Sequence, residues 1–396
     1  MTAAGLLHAF RRGSWQPSLD TGPLPGDTGL RLALVPEIVA AADRRHWDAT
    51  APGLPPAPAD RRALLLRALD LFEHAVLTVG GLGPQSRDDF AAALWRTAGV
   101  PAALTDRWTG MLRTALTERP VPVGDGALAL VALPGNTFTC MAAVLEQAER
   151  SACVWMRPSR REPLSAARLV AALAAAGWPA ERIALYPTGQ AALGGLIRLT
   201  DRQVVYGGAG LTAAVRAAPD LTLHGPGRGC ALVPDGMDTQ AAADWLMPLI
   251  AADSGRFCTN VRTVVCPGPA APLAAALAAR LGQLPHGDWP LTAFREPGAA
   301  RRAIESITVR MRPGDRLLTP TDPAGEAAVV PPHLVLIADR TGDPARHPLV
   351  GHEVPFPFAA VVRATGRDAA AIAAGSLFVH HPPSRSPAAQ EKRRTA

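Results

Sequence analysis

A chain of 396 residues with 48% hydrophobic content is long enough for two or three domains and a sizeable core. Its 40 Lys and Arg against 34 Asp and Glu leave a mildly basic balance that is not gathered into one block, and no aromatic-interleaved basic patch goes with it, so nucleic acid is excluded as an expected partner. Apolar runs such as Leu169–Gly177 are too short to span a bilayer and the N-terminus lacks a signal-peptide pattern, so the expectation is no membrane and a cytoplasmic protein.

Residues Met1–Pro58 are rich in Pro, Gly and Asp and read as an irregular arm that packs on another element. From Asp60 the pattern turns helical, with Leu65, Leu69, Phe72 and Val76 at three- and four-residue spacing. Helical patterns also cover Arg87–Thr97 and Pro101–Thr117, so the first third is expected to be mostly α. At Gly124 the character changes. Ala127–Leu133 is a continuous apolar run ending in Pro134-Gly135-Asn136, which suits a buried strand feeding a loop. Further strands are expected at Ala152–Met156, Ile183–Tyr186, Gln203–Tyr206 and Leu221–Leu223. Helices are expected between them at Phe138–Gln147, Pro163–Ala176, Ala191–Leu199 and Leu211–Ala217. Such alternation implies α/β architecture with a doubly wound parallel sheet. Dinucleotides bind at the carboxyl ends of sheets of this kind, although no GxGxxG follows any of these strands.

Asp238–Ala252 reads as a helix that delivers the chain to Cys258. Ala270–Leu281 is another, Leu334–Ile337 and Phe358–Val362 are strands, and Thr365–Ala374 is the last helix. From His380 onward the chain is Pro-rich, charged and without apolar periodicity, and is expected to be disordered. The expected organisation is an N-terminal arm and helical segment over 1–118, a cofactor domain over 119–232 and a smaller α/β domain carrying Cys258 over 233–364. The last helix and tail occupy 365–396.

Five cysteines are present, Cys140, Cys153, Cys230, Cys258 and Cys266; their number is odd and none forms a CxxC pair. Reduced thiols are expected, with no disulfide scaffold and no metal. Cys258 stands apart. It follows Asp253, Ser254 and Gly255 on a turn and precedes the β-branched run Val261–Val265. A lone Cys is usually a small buried hydrophobe. A thiol on a glycine-preceded turn ahead of a strand is also well placed to act as a nucleophile, with nearby amides to hold an oxyanion.

Four segments follow one another in order: LPGNTFTC at 133–140, VWMRPSRREPLSA at 154–166, LHGPGRGCALV at 223–233 and SGRFCTNVRTVV at 254–265. In their order and spacing they resemble the aldehyde dehydrogenase superfamily. Within it the chain is most similar to the acyl-CoA reductases, such as the fatty-acyl reductase of bacterial luminescence. HEVPFPFAAVV at 352–362 is similar to that family's E-x-F-G-P loop, and LRALDLFEHAV and WRTAGVP resemble the reductases' N-terminal region more loosely. The chain is shorter than typical members, ending near where the family continues through a further catalytic segment and an oligomerisation strand. A homodimer is left open.

The resemblance implies roles residue by residue. Cys258 is the nucleophile. Asn136 donates to the oxyanion, although on its own it reads as a turn residue after Pro-Gly. Arg157, Pro158 and Ser159 stand where the family has Lys-Pro-Ser at the adenosine ribose. An arginine fork suits a 2′-phosphate and so NADP. The only lysine is Lys392, so a compositional bias could equally have put Arg there, which leaves NAD. Tyr206-Gly207-Gly208-Ala209-Gly210 matches a glycine turn under the pyrophosphate, Gly225 lies in the third segment, and Glu353 matches the residue on the nicotinamide ribose. His224 stands where hydrolytic members carry a water-activating Glu. It could be a base itself or an orienting residue beside the GPG turn.

The implied activity is NAD(P)-dependent reduction of an acyl thioester, on coenzyme A or a carrier protein, to an aldehyde through a Cys258 thioacyl intermediate. The same residues would run the reverse reaction from an aldehyde substrate. The alternatives are a hydrolytic aldehyde dehydrogenase with His224 activating water, and a degenerate domain kept for binding.

Overall fold

A computed structural model describes residues 5–26, 29–50, 57–208, 220–286, 289–318, 329–338 and 342–383. The chain divides into two units. One comprises Met1–Pro226, Thr292–Ala299 and Gly325–Val329; the other comprises Gly227–Leu291, Ala300–Ala324 and Val330–Ala396.

The first unit is built on a seven-stranded sheet. In spatial order its strands are Leu221–His224, Arg202–Tyr206, Leu128–Ala132, Cys153–Arg157, Ile183–Leu185, Ala9–Arg11 and Ser14–Gln16. The first five run parallel, as expected of strands that read as near-continuous apolar runs. Leu128–Ala132 and Cys153–Arg157 are buried along their whole length. Helices Met141–Arg150, Leu164–Ala176 and Leu193–Arg198 alternate with the strands. The expected Leu211–Ala217 helix lies outside the described residues.

The first fifty residues are not the irregular arm that their composition suggests. Ala9–Arg11 and Ser14–Gln16 form an antiparallel hairpin that extends the main sheet beyond Ile183–Leu185. Leu6–Leu7, Arg31–Ala33 and Thr21–Pro23 form a small sheet of their own, and Glu37–Thr50 is a helix. Strands of two or three residues carry too little periodicity to be read, and the glycines and prolines between them are their turns. The hairpin is tied to the helix and to the sheet through buried Asp43. That carboxylate accepts from Arg11, from Arg12 and from the Tyr186 hydroxyl at 2.9 Å.

The helices Pro58–His74, Arg87–Ala98 and Ala102–Thr117 form as expected. Ser86 and Asp89 make a capping box at the start of the second, and Gly99 ends it in the left-handed conformation. An aromatic cluster holds them to the rest of the unit. Phe72 meets Phe90 edge-on, and Trp108 meets Phe138 likewise, each with ring centroids 5.3 Å apart. Arg168 is fully buried against Phe72 and Phe90 and donates to the carbonyls of Phe72, Ala75 and Gln85.

The second unit has a six-stranded sheet in the order Arg316–Leu317, His333–Leu336, Phe358–Arg363, Val261–Cys266, Gly229–Leu232 and Val379–His380. Adjacent pairs are parallel except the first. Thr239–Ala251 and Ala270–Leu281 are its longer helices. Asp238 caps the first by accepting from the Ala241 amide at 2.9 Å. His380, expected to begin a disordered tail, is instead in a strand paired with Ala231, and its Nε2 lies 2.9 Å from the Thr259 carbonyl. Two residues cannot announce a strand by pattern; here the pairing partner decides. Residues 384–396 of that tail lie outside the described residues.

Candidate functional site

In the first unit the parallel strands present their carboxyl ends along one edge, and the expected cofactor residues other than Glu353 lie there. Asn136 sits in the loop after Leu128–Ala132. Arg157 ends the next strand and leads into Pro158 and Ser159. Gly207 and Gly208 follow Arg202–Tyr206, and His224 and Gly225 close Leu221–His224. The first two loops touch. A Cβ on Gly135 would come within 2.5 Å of Ser159 Oγ and 2.9 Å of Arg161 Cβ, so only glycine fits at that approach. Beyond Asn136 the loop is fixed by the Thr137 hydroxyl, which accepts from the Thr139 amide at 3.1 Å.

Arg157 does not hold its fork out to solvent. It is buried, with Nε 3.3 Å from Thr188 Oγ1 and Nη2 donating to the Thr188 carbonyl and Gln190 Oε1. Burial lowers its pKa, and the neighbouring Arg160 lowers it further. His224 is exposed at the strand end, its ring flat on Tyr206 with centroids 4.4 Å apart and planes 9° from parallel. Its carbonyl accepts from the Gly207 amide at 3.0 Å, which binds the two loop starts together. Desolvation of the stacked ring lowers the imidazole pKa, while Glu146 pulls it upward.

Cys258 and Glu353 belong to the second unit, and the thiol is exposed. The turn leading to it is unusual. Asp253, Ser254 and Gly255 have φ of 52°, 58° and 65°, three successive residues in the left-handed region. Side chains there cost about 1–2 kcal/mol per residue. Gly255 is required twice over, since a Cβ would also come within 2.6 Å of the Phe356 carbonyl and Pro357 nitrogen. Strain of this kind persists where the surroundings over-determine it.

Two residues that sequence reasoning passed over supply that surrounding. Asn260 is buried; its Oδ1 accepts from the Phe257 amide at 2.7 Å, and its Nδ2 donates to the Leu249 and Ala252 carbonyls at 3.1 Å each. It thus satisfies carbonyls left over at the end of Thr239–Ala251 and pins the residue before Cys258. Arg262 lies inside the strand that follows and donates to the Phe356 carbonyl at 3.1 Å and to the Gly255 carbonyl. The available signal was a charged residue inside the otherwise apolar run VRTVVC, which a buried strand does not carry without cause.

The segment beside the thiol is shaped by glycines. A side chain on Gly227 would overlap the Cys258 carbonyl, and one on Gly229 the Asn260 carbonyl. Between them Arg228, with φ 49°, turns its amide onto Glu353 Oε1 at 3.0 Å. Partial desolvation by its packed neighbours pushes the Cys258 thiol pKa up and the Glu353 charge pushes it further; the amides of Cys258 and Thr259 and the charge of Arg262 pull it down. Cys153 is the contrast. Deep burial raises its pKa well above the ordinary thiol value, so it is inert. Among the described residues no group of three or more His, Cys, Asp or Glu could hold a metal, and no helix is long and apolar enough to cross a membrane.

No family model matches the chain, and no curated protein does. Solved structures do. A NAD-dependent benzaldehyde dehydrogenase from Corynebacterium glutamicum is 15% identical, with 97% of this chain and 91% of that one covered and a TM-score of 0.74. A NADP-dependent glyceraldehyde-3-phosphate dehydrogenase from Bacillus halodurans, complexed with NADP, is 16% identical over 96% and 92%, at 0.73. A salicylaldehyde dehydrogenase from Pseudomonas putida, complexed with salicylaldehyde, is 17% identical over 96% and 86%, at 0.72. At such identities the likeness speaks to the fold, and the fold of this chain is that of the aldehyde dehydrogenases.

Proposed function

We propose that the protein is an NAD(P)-dependent oxidoreductase that reduces an acyl thioester, on coenzyme A or a carrier protein, to an aldehyde, with the acyl group held on Cys258 between the two halves of the reaction. The observation that carries this reading is position 224. The side chain there is an imidazole lying flat on Tyr206, where a hydrolytic enzyme of this fold would carry a carboxylate to activate water. A thioacyl group on Cys258 then outlives attack by water and can be exchanged with a thiol.

The residues at the strand ends fit a dinucleotide. A Cβ on Gly208 would meet nothing within 4 Å, which leaves room for phosphate against the main chain, and the carboxyl edge of a parallel sheet is where such cofactors lie. Solved neighbours named as NAD-dependent and NADP-dependent support either nucleotide. Arg157 would support the adenosine side by holding Thr188 and Gln190, and Glu353 would accept from ribose hydroxyls.

In this reading the Cys258 thiol gives up its proton and sulfur bonds the thioester carbonyl carbon. The bond from that carbon to the carrier sulfur breaks, and the carrier thiolate takes up a proton. When bound, the reduced nicotinamide supplies hydride to the thioacyl carbon. Asn136 and the Cys258 amide donate to the oxygen as it becomes negative, a contribution of about 10²–10³ in rate per donor. Re-forming the carbonyl breaks the carbon–sulfur bond, freeing the aldehyde and the Cys258 thiolate.

One observation favours the hydrolytic reading. The lowered pKa of His224 leaves a neutral imidazole able to take a proton from water. The two are separated by supplying an aldehyde, NAD or NADP and coenzyme A together and measuring the ratio of acid to thioester. Thioester should dominate, and His224→Glu should divert the acyl group to acid. Acid alone from wild type, with acyl-Cys258 accumulating in His224→Ala, would overturn the proposal. Failure to bind either nucleotide would point to a degenerate binding domain.

A further inference from the structure

Arg262 is 3% exposed, yet no ion pair within 4 Å holds it among the described residues; Glu353 acts on it through its charge from farther away. Its hydrogen bonds go to two main-chain oxygens, those of Gly255 and Phe356, and its Nε has no partner. Burying a cation against neutral carbonyls is costly, and an apolar side chain of similar volume would fill the same space more cheaply. The two oxygens are what give the arrangement its meaning. Gly255 closes the left-handed turn into Cys258, and Phe356 lies three residues after Glu353. A planar guanidinium can hold two oxygens at a set separation, which the single ammonium of lysine cannot reproduce.

We propose that Arg262 is the positioning residue that sets the Cys258 thiol and the Glu353 carboxylate relative to one another, one arm of its fork on each of the segments that carry them. The inference rests on Cys258 being the reactive thiol of the proposed function, but it concerns the thiol rather than the substrate. The thiol senses both charges, since Glu353 raises its pKa and Arg262 lowers it. Thr263, next in the strand, reinforces the link; its Oγ1 accepts from the Gly351 amide at 2.9 Å, on the same segment as Glu353.

The test uses the full chain and the rate at which iodoacetamide alkylates Cys258, followed by peptide mass spectrometry, in wild type, Arg262→Met, Arg262→Lys, Glu353→Gln and the double variant Arg262→Met/Glu353→Gln. Arg262→Met should slow alkylation about tenfold, the scale of a lost charge-assisted contact. Arg262→Lys should recover part of the rate by returning the charge. Glu353→Gln alone should speed alkylation, and that gain should shrink by about threefold or more when Arg262 is already absent, because coupled residues are not additive. A merely structural arginine would loosen the turn, leaving the thiol as reactive as wild type or more so, and the Glu353→Gln gain equal in both backgrounds; either result overturns the inference. Should Arg262→Met fail to fold, Arg262→Gln takes its place, and alkylation at the wild-type rate in that variant overturns it equally. Turnover surviving in Cys258→Ala would sink the proposed function while leaving the positioning result standing.

Discussion

The carbonyl of Cys258 fills the space that a side chain on Gly227 would need. The PGRG run is therefore packing chemistry as much as turn chemistry. It lets one strand start pass directly over the thiol turn, with Gly229 doing the same over Asn260. The peptide that places the thiol is held by Asn260 and Arg262 and packed against Gly227 and Gly229.

Gly227→Ala should accordingly cost about 1–3 kcal/mol, the usual penalty of overpacking a tight contact. Gly268→Ala, with open space around it, should stay within about 0.5 kcal/mol of wild type. Urea midpoints of the two variants make the comparison. Equal midpoints would show that the turn gives way easily and is not held as described.

Asn260→Ala removes one acceptor and one double donor from a buried site. Stranding a buried amide or carbonyl costs about 1–3 kcal/mol. We expect a loss of that size in denaturant unfolding, together with faster Cys258 alkylation because Phe257 is no longer pinned and the turn is looser. Lost stability with an unchanged thiol rate would confine Asn260 to the fold.

Much of this was legible in advance because apolar runs are long signals. The parallel strands from Leu128 to Tyr206, the strand after Cys258 and the helices flanking them follow from buried apolar runs and helical spacing, while Leu221–His224 is largely exposed and is legible from its β-prone residues. What escaped reading was decided by partners distant in sequence. The strands before residue 34 and at Val379–His380 exist because an edge elsewhere pairs with them. Helix Glu37–Thr50 carries many charged or polar residues that blur its apolar stripe, whereas Ala299–Thr308, with Ala300, Ile304 and Ile307 buried at four- and three-residue spacing, carries a helical signal that sequence reasoning passed over. At the site, a motif could point to Cys258 and Glu353, but not to Asn260 or Arg262, whose work is bonding to main-chain atoms and leaves little trace in residue type.

The thiol's surroundings fix a pH dependence. Partial desolvation and Glu353 together hold Cys258 protonated above the ordinary thiol value, so its alkylation rate should climb with a midpoint above that of a free thiol. The folded chain keeps that proton longer than the unfolded one. The stability this contributes is therefore full below the free-thiol pKa and is lost as pH rises through the raised value in the folded chain. Glu353→Gln removes the repelling charge and should move the alkylation midpoint downward. A midpoint that stays put or rises would show that the carboxylate does not act on the thiol.

Arg157 bears on nucleotide choice. Its Nε and Nη2 are taken up by Thr188 and Gln190, so Arg157→Gln should weaken NADH and NADPH to a similar degree, by loosening the 188–190 loop. Dissociation constants for both nucleotides provide the check. A loss of about tenfold or more confined to NADPH would mean that the fork turns outward to grip a 2′-phosphate.

The central claim, that Cys258 carries an acyl group taken from a thioester and protects it from water, can be tested most directly by mass. The protein is incubated with acyl-coenzyme A thioesters of graded chain length in the absence of nucleotide, and intact mass and free acid are followed together. The account predicts an acyl adduct that maps to Cys258, persists without matching release of acid, and disappears as aldehyde when NADPH or NADH is added. An adduct on another cysteine, or steady release of free acid without nucleotide, would contradict it.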